Sequence, residues 1–251
     1  MSSVMAVVRR EIQAYFVSPI AYTVIVSFLL VSGFGFTSEL RDYLGIRPLA
    51  FELRSITLQG ALVSQIATWI SIAIFLCLPA LSMRLLSEER RSGTIELLMT
   101  SPLTTLQIVV GKYLGALSVY VLILVLTLPY LAILEMKGSP EWGAIGATYL
   151  GLLLFGGVIL AIGLFASAIT ENQIIAVVTT YAIFMPFFVL DRLVRLVGSQ
   201  LGDVLAGLSV SVGLFSMSQG LVDSHDLVLH CALVFLFLFL SVQVLDSSRW
   251  R

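Results

Sequence analysis

Glu88, Glu89, Arg90 and Arg91 stand side by side in RLLSEERRSGTIELLMTSPLTT, residues 84–105, the most densely charged run of an otherwise apolar chain. Adjacent glutamates can activate water or bind a cation, so enzyme chemistry is the first reading to test. The paired-glutamate pattern of intramembrane proteases, EExxxR, needs arginine at position 93, where Gly93 stands. His225 and His230 fall at the outer end of the last apolar segment. They read as surface and interfacial residues on the membrane face opposite the glutamates, so no single site forms. Ser and Asp are present, but no Ser/His/Asp set can be assembled. Cys77 and Cys231 lie inside apolar runs and read as two buried free thiols, because a disulfide framework or metal site needs more ligands at closer spacing. A phosphate loop requires G-x-x-x-x-G-K-[ST]. Gly111-Lys112 is followed by Tyr113, with no glycine at position 106. Lys112 therefore reads as an interfacial lysine that snorkels to water. No catalytic, cofactor-binding or metal-ligating residue is expected.

The elements that position the charged run are set by composition. Of 251 residues, 59% are hydrophobic and 12% charged, and the mean hydropathy is +1.03. Soluble domains are about 45–50% apolar and about 25% charged, so the solvent for this chain is lipid. A net charge of −1 without a basic cluster argues against nucleic acid. The expected fold is all-α, one membrane domain over residues 1–251, with six spans at approximately 20–37, 60–83, 106–134, 143–169, 174–190 and 228–245. The third and fourth exceed the ~20 residues a crossing needs, so they tilt, kink or protrude; Pro129 and Pro186 are candidate kinks. Gly111 with Gly115, and Gly157 with Ala161, are candidate close helix contacts.

Residues 1–18 are expected to form an interfacial helix: Val4, Val7, Val8, Ile12 and Tyr15 share one face, while Arg9, Arg10 and Gln13 lie elsewhere. The N-terminus lacks the order of a signal peptide, so the first apolar run is a retained span. The placement of Arg9, Arg10, Arg84, Arg90 and Arg91 favours cytoplasmic N- and C-termini. Residues 191–227 begin charged and turn apolar between 204 and 221. They are expected to form an extracytoplasmic or re-entrant segment in preference to a seventh span. Apart from Lys112 near a boundary and His230 at an end, the spans carry no Asp, Glu, Lys, Arg or His, which argues against an ion-coupled carrier.

Within residues 84–105, Ser92 and Thr94 are N-cap types, Gly93 permits a sharp bend and Pro102 stops a helix. The intervening TIELLMTS allows about two turns, with Ile95, Leu98 and Met99 on one face and Glu96 elsewhere. A helix this short is not stable alone in water, so it needs a surface to dock into.

This run resembles the signature of type-2 ABC transporter permeases, EE(R/K)xxGT(I/L)ExLxx(S/T)P, through Glu88, Glu89, Arg90, Gly93, Thr94, Ile95, Glu96, Leu98, Ser101 and Pro102. RREIQAYFVSPIAY is similar to that family's N-terminal elbow helix. Gly220, Asp223, Asp226 and Trp250 resemble the tail of its gliding-motility subgroup. The resemblance implies a cytoplasmic coupling helix between spans two and three, held by Glu88, Glu89, Arg90, Arg91, Gly93, Thr94, Ile95, Glu96, Leu98, Met99 and Pro102 against a separate ABC ATPase. It implies a second permease protomer, identical or related, and export across the bacterial inner membrane. ATP and magnesium would belong to the partner, with no cofactor in this chain. A non-transporting anchor of an ATP-driven envelope machine fits the same residues.

Overall fold

A computed structural model describes residues 3–43, 58–95, 103–137, 141–194 and 207–248. Among these the chain is helical: α1 (Ser3–Val17), α2 (Pro19–Tyr43), α3 (Leu58–Ser82), α4 (Arg84–Arg91), α5 (Thr105–Val125), α6 (Leu128–Lys137), α7 (Trp142–Ile169), α8 (Gln173–Val194), α9 (Val210–Ser218) and α10 (Ser224–Ser248). Six stretches of the described residues are long and apolar enough to cross a membrane, and they coincide with the six expected from hydropathy.

The bundle is built around α7. Its most apolar window is 78% buried inside the protein, against 17% for α8 and 22% for α10. In lipid, apolar burial gives little net drive for helices to meet, so close packing and hydrogen bonds carry association. Small residues on α7 allow it. A Cβ at Gly156 would lie 2.3 Å from the ring of Tyr120 on α5. Tyr120 and Tyr113 donate hydroxyl bonds to the Leu152 and Gly157 carbonyls of α7. The expected small-residue contact at Gly157 is thus made with Tyr113 of α5. Phe75, Phe155, Phe184 and Phe188 join α3, α7 and α8 in one aromatic cluster.

The third span breaks at the turn Leu126–Thr127 and restarts as α6, with Pro129 in the new first turn. Proline there loses no intrahelical hydrogen bond. Thr127 satisfies the freed polar groups, donating to the Leu124 carbonyl at 2.7 Å and sharing a hydrogen bond with Tyr149 at 2.8 Å. At Pro186, by contrast, α8 runs on without interruption, so the second kink expected from proline alone is not a break. The 28-residue α7 is about 42 Å long at 1.5 Å per residue, longer than a ~30 Å hydrocarbon core.

In the segment 191–227, α8 continues to Val194 and α9 occupies nine residues, too few to cross. Extended backbone at Ser209 (φ −85°, ψ 115°) separates α9 from what precedes it. α9 buries Val210, Gly213, Leu214 and Met217, and Met217 sits against Gly151 of α7. Residues 195–206 of the segment lie outside the described residues.

Candidate functional site

α4 follows α3 across a single turn residue, Met83, whose amide bonds the Pro79 carbonyl at 3.0 Å. Its apolar side buries Leu85, Leu86 and Ser87, which leaves Glu88 and Arg91 exposed and turns Glu89 inward. α1 lies along the first half of α5. Val7, Val8, Glu11 and Tyr15 face inward, while Arg9, Arg10 and Gln13 face outward. The seat is the pair Gly111 and Gly115: added Cβ atoms would come within 2.7 Å of Val7 Cβ and Glu11 Cβ. The expected GxxxG contact therefore exists, and its partner is the N-terminal helix.

Lys112 lies between these glycines on the same face. It does not snorkel: its side chain is 2% exposed, and Nζ sits 2.8 Å from Glu11 Oε1 and 2.9 Å from Glu89 Oε1. A lysine at a span boundary reaches water when nothing of opposite charge is nearer; here two carboxylates are. Arg10 Nη2 approaches Glu89 Oε1 at 3.6 Å. One level out, Arg84 Nε pairs with Glu88 Oε2 at 3.3 Å, donates to the Ser18 hydroxyl and lies 5.6 Å from the centre of the Tyr15 ring. Tyr15 donates to the Leu81 carbonyl at 2.9 Å, and burial pushes its phenol well above the ordinary tyrosine range. Together these groups line a cleft of about 240 Å³ that also touches Ser92 and Thr94.

The cleft holds three cations and three carboxylates, each facing an opposite charge. Apart from the buried Glu89 Oε2, which has no hydrogen-bond partner among the described residues, the acids are held in ion pairs that tie α1, α4 and α5 together. Taking charges out of water costs more than an apolar contact would, and removing one partner leaves the other stranded. No group of three metal-ligating side chains occurs among the described residues.

The predicted loop residues divide. Glu88 and Arg91 are exposed, and Arg90 is half-buried. Glu89, one of the residues expected to meet the ATPase, lies inside, ion-paired to Lys112. Ser92 ends α4, and its hydroxyl donates back to the Glu88 carbonyl at 2.9 Å, the reverse of an N-cap. Gly93 makes the expected bend, with φ +70°. Thr94 is exposed and bonds Ser92 at 2.8 Å, and Ile95 is half-buried against the core. Glu96, Leu98, Met99, Ser101 and Pro102 lie outside the described residues. Sequence reasoning missed Glu11, Arg84 and Lys112 as parts of this cleft. One signal was available: Glu11 continues the Val4, Val7, Val8, Tyr15 stripe at helical spacing, an acid on an apolar face opposite the one lysine of the spans.

One histidine and one cysteine depart from expectation. His230 is fully buried, with Nδ1 2.7 Å from the Asp226 carbonyl, because its face of α10 packs on the bundle; His225 is exposed as expected. Cys77 is buried, but Cys231 faces outward. Gly220, Asp223 and Asp226 have local work. The Gly220 and Leu221 amides bond the Met217 and Ser216 carbonyls, closing α9 in a Schellman motif with Gly220 at φ +84°. Asp223 accepts from the His225 amide at 3.1 Å to cap α10. Asp226 packs over Gly213.

The sides of the bundle follow from long-range contacts. Thr105, at the start of α5, bonds Asp246, near the end of α10. With α1 seated on the same part of α5, the N-terminal helix, the ends of the 84–105 run and the end of α10 share one side. A search of curated proteins gives no match to this chain. A family model described as ABC-2 family transporter protein matches residues 5–225. That match spans nearly the whole chain, the charged signature and five of the six apolar helices in full. The chain therefore belongs to the ABC-2 family, a multi-pass transmembrane permease of the type-2 ABC transporter class.

Proposed function

We propose that this chain is the permease subunit of an ABC exporter whose ATPase is a separate cytoplasmic protein binding residues 84–105. The observation that carries the reading is the Glu89–Lys112 contact of 2.9 Å. Glu89 belongs to the run that would meet the ATPase, and Lys112 belongs to the third span. Movement of the run is thereby passed to α5 and, through Glu11, to α1. The apolar residues Leu98 and Met99 supply docking area, and Glu88 and Arg91 on the rim set register and on-rate more than affinity. The side that bears these residues faces the cytoplasm together with both termini, in a bacterial inner membrane. Two protomers, identical or related, pair above two ATPase subunits. ATP and magnesium bind the partner.

The test is co-purification. The ATPase subunit should be retained by the full chain and lost on deletion of residues 92–102, while the six spans stay inserted. Leu98→Glu should leave a folded permease in which ATP hydrolysis no longer drives export. Full retention of the ATPase by the deletion variant overturns the reading.

A further inference from the structure

The cleft secures the leading end of residues 84–105, and a different contact secures the trailing end. Thr104 caps α5 in a reciprocal capping box with Gln107. Thr105, the first residue of α5, is 8% exposed, and its hydroxyl donates to Asp246 Oδ1 at 2.5 Å across 141 residues of sequence. Asp246 stands two residues before the end of α10, in a last turn that holds no basic residue. An acid there opposes the helix dipole. The same carboxylate meets the positive end of α5, which offsets that cost. A residue that breaks a local rule points to a role beyond its own helix.

We propose that Asp246 is a positioning residue that makes α10 follow the trailing end of the 84–105 run, so that a stroke delivered there reaches the last span. The proposal rests on the reading of residues 84–105 as the ATPase-binding run. His230, Ser241 and Ser247 on α10 bond back to α10's own carbonyls. The contact of α10 with α7 includes an apolar pair, Phe237 against Phe165, and apolar surfaces can slide. A charge-assisted bond at 2.5 Å cannot slide without breaking. Thr105 is one residue from the loop, so the loop's end and the end of α10 move together while the bond stands.

The test uses the full chain with its ATPase subunit in lipid nanodiscs, with Cys77→Ser and Cys231→Ser. A spin label at exposed Leu30 on α2 is paired with one at Leu106 or at Gln243, both exposed, on α5 and the inner end of α10. Distances are measured with and without a non-hydrolysable ATP analogue. Both should shift in the unaltered chain and in Thr105→Ser. In Thr105→Val and in Asp246→Ala the Leu106 shift should persist while the Gln243 shift is lost. Asp246→Ala, which removes the acceptor and adds no bulk, covers the case in which Thr105→Val fails to fold. Retention of the Gln243 shift in the variants overturns the proposal, as does a Gln243 label in the unaltered chain that stays still while Leu106 moves. Failure of the ATPase to bind, or a Leu106 label that never moves, instead overturns the coupling reading and this proposal with it.

Discussion

Replacing Lys112 with methionine keeps an unbranched side chain one atom shorter and removes the charge that α1 and α4 share. Glu11 and Glu89 each place an oxygen within 2.9 Å of Nζ, and their side chains are 11% and 12% exposed. Without the ammonium they face each other. Two like charges about 5 Å apart repel by ~3 kcal/mol at an effective dielectric of about 20. Removing one member of a buried ion pair costs about 3–5 kcal/mol on the same scale. The loss should fall on α1, whose remaining holds are the glycine seat, the Tyr15 bond and the pair that exposed Arg10 makes with Glu89 at 3.6 Å. At about 1.4 kcal/mol per decade, α1 amides should exchange hydrogen roughly 10²-fold faster in nanodiscs, with α7 unchanged. The triple variant Glu11→Gln, Glu89→Gln, Lys112→Met removes every stranded charge and should recover most of the protection, because a neutral replacement of a buried pair is often no worse than the pair. Protection of α1 within twofold of the unaltered chain in Lys112→Met would refute the reasoning. So would a triple variant that exchanges as fast as the single one.

Gly111→Leu should push α1 from its seat, since even a Cβ would lie 2.7 Å from Val7 Cβ; overpacking of about 1–3 kcal/mol should appear as faster tryptic cleavage at Arg9 and Arg10, with the spans intact. Gly220→Ala puts a side chain at φ +84° with its Cβ 3.1 Å from Ala144 Cβ, and should lower the melting temperature by an amount matching about 1–2 kcal/mol. Tyr15 carries a pH signature. Burial raises its folded-state pKa above the ordinary 10.0, so its stabilising effect is complete below pH 10 and is lost as pH rises beyond it. Tyr15→Phe should lower stability at pH 8 by about 0.5–1.5 kcal/mol and melt with a smaller drop between pH 8 and 10.5 than the unaltered chain.

The spans were legible in the chain before any packing was known. Hydrocarbon thickness is a one-dimensional rule, and every backbone group in lipid must be satisfied within its own helix. A run of apolar residues therefore names its structure without knowing its neighbours. The bend at Gly93 and the interruption of the third span just before Pro129 were legible for the same reason, being local chemistry. So was the apolar face of α1, but only as a face: Val7 and Val8 carry no sign of what they pack on. Tertiary structure supplied that, and with it the joint of Glu11, Lys112 and Glu89, whose first two members lie 101 residues apart in sequence. A charge within an apolar stretch states that it needs a partner or water and does not say which. Lys112 looked like a snorkelling lysine until the packing of α1 and α4 on α5 placed Glu11 and Glu89 within 3 Å of it. The same holds for Asp246, whose place at the end of α10 makes sense only beside the start of α5.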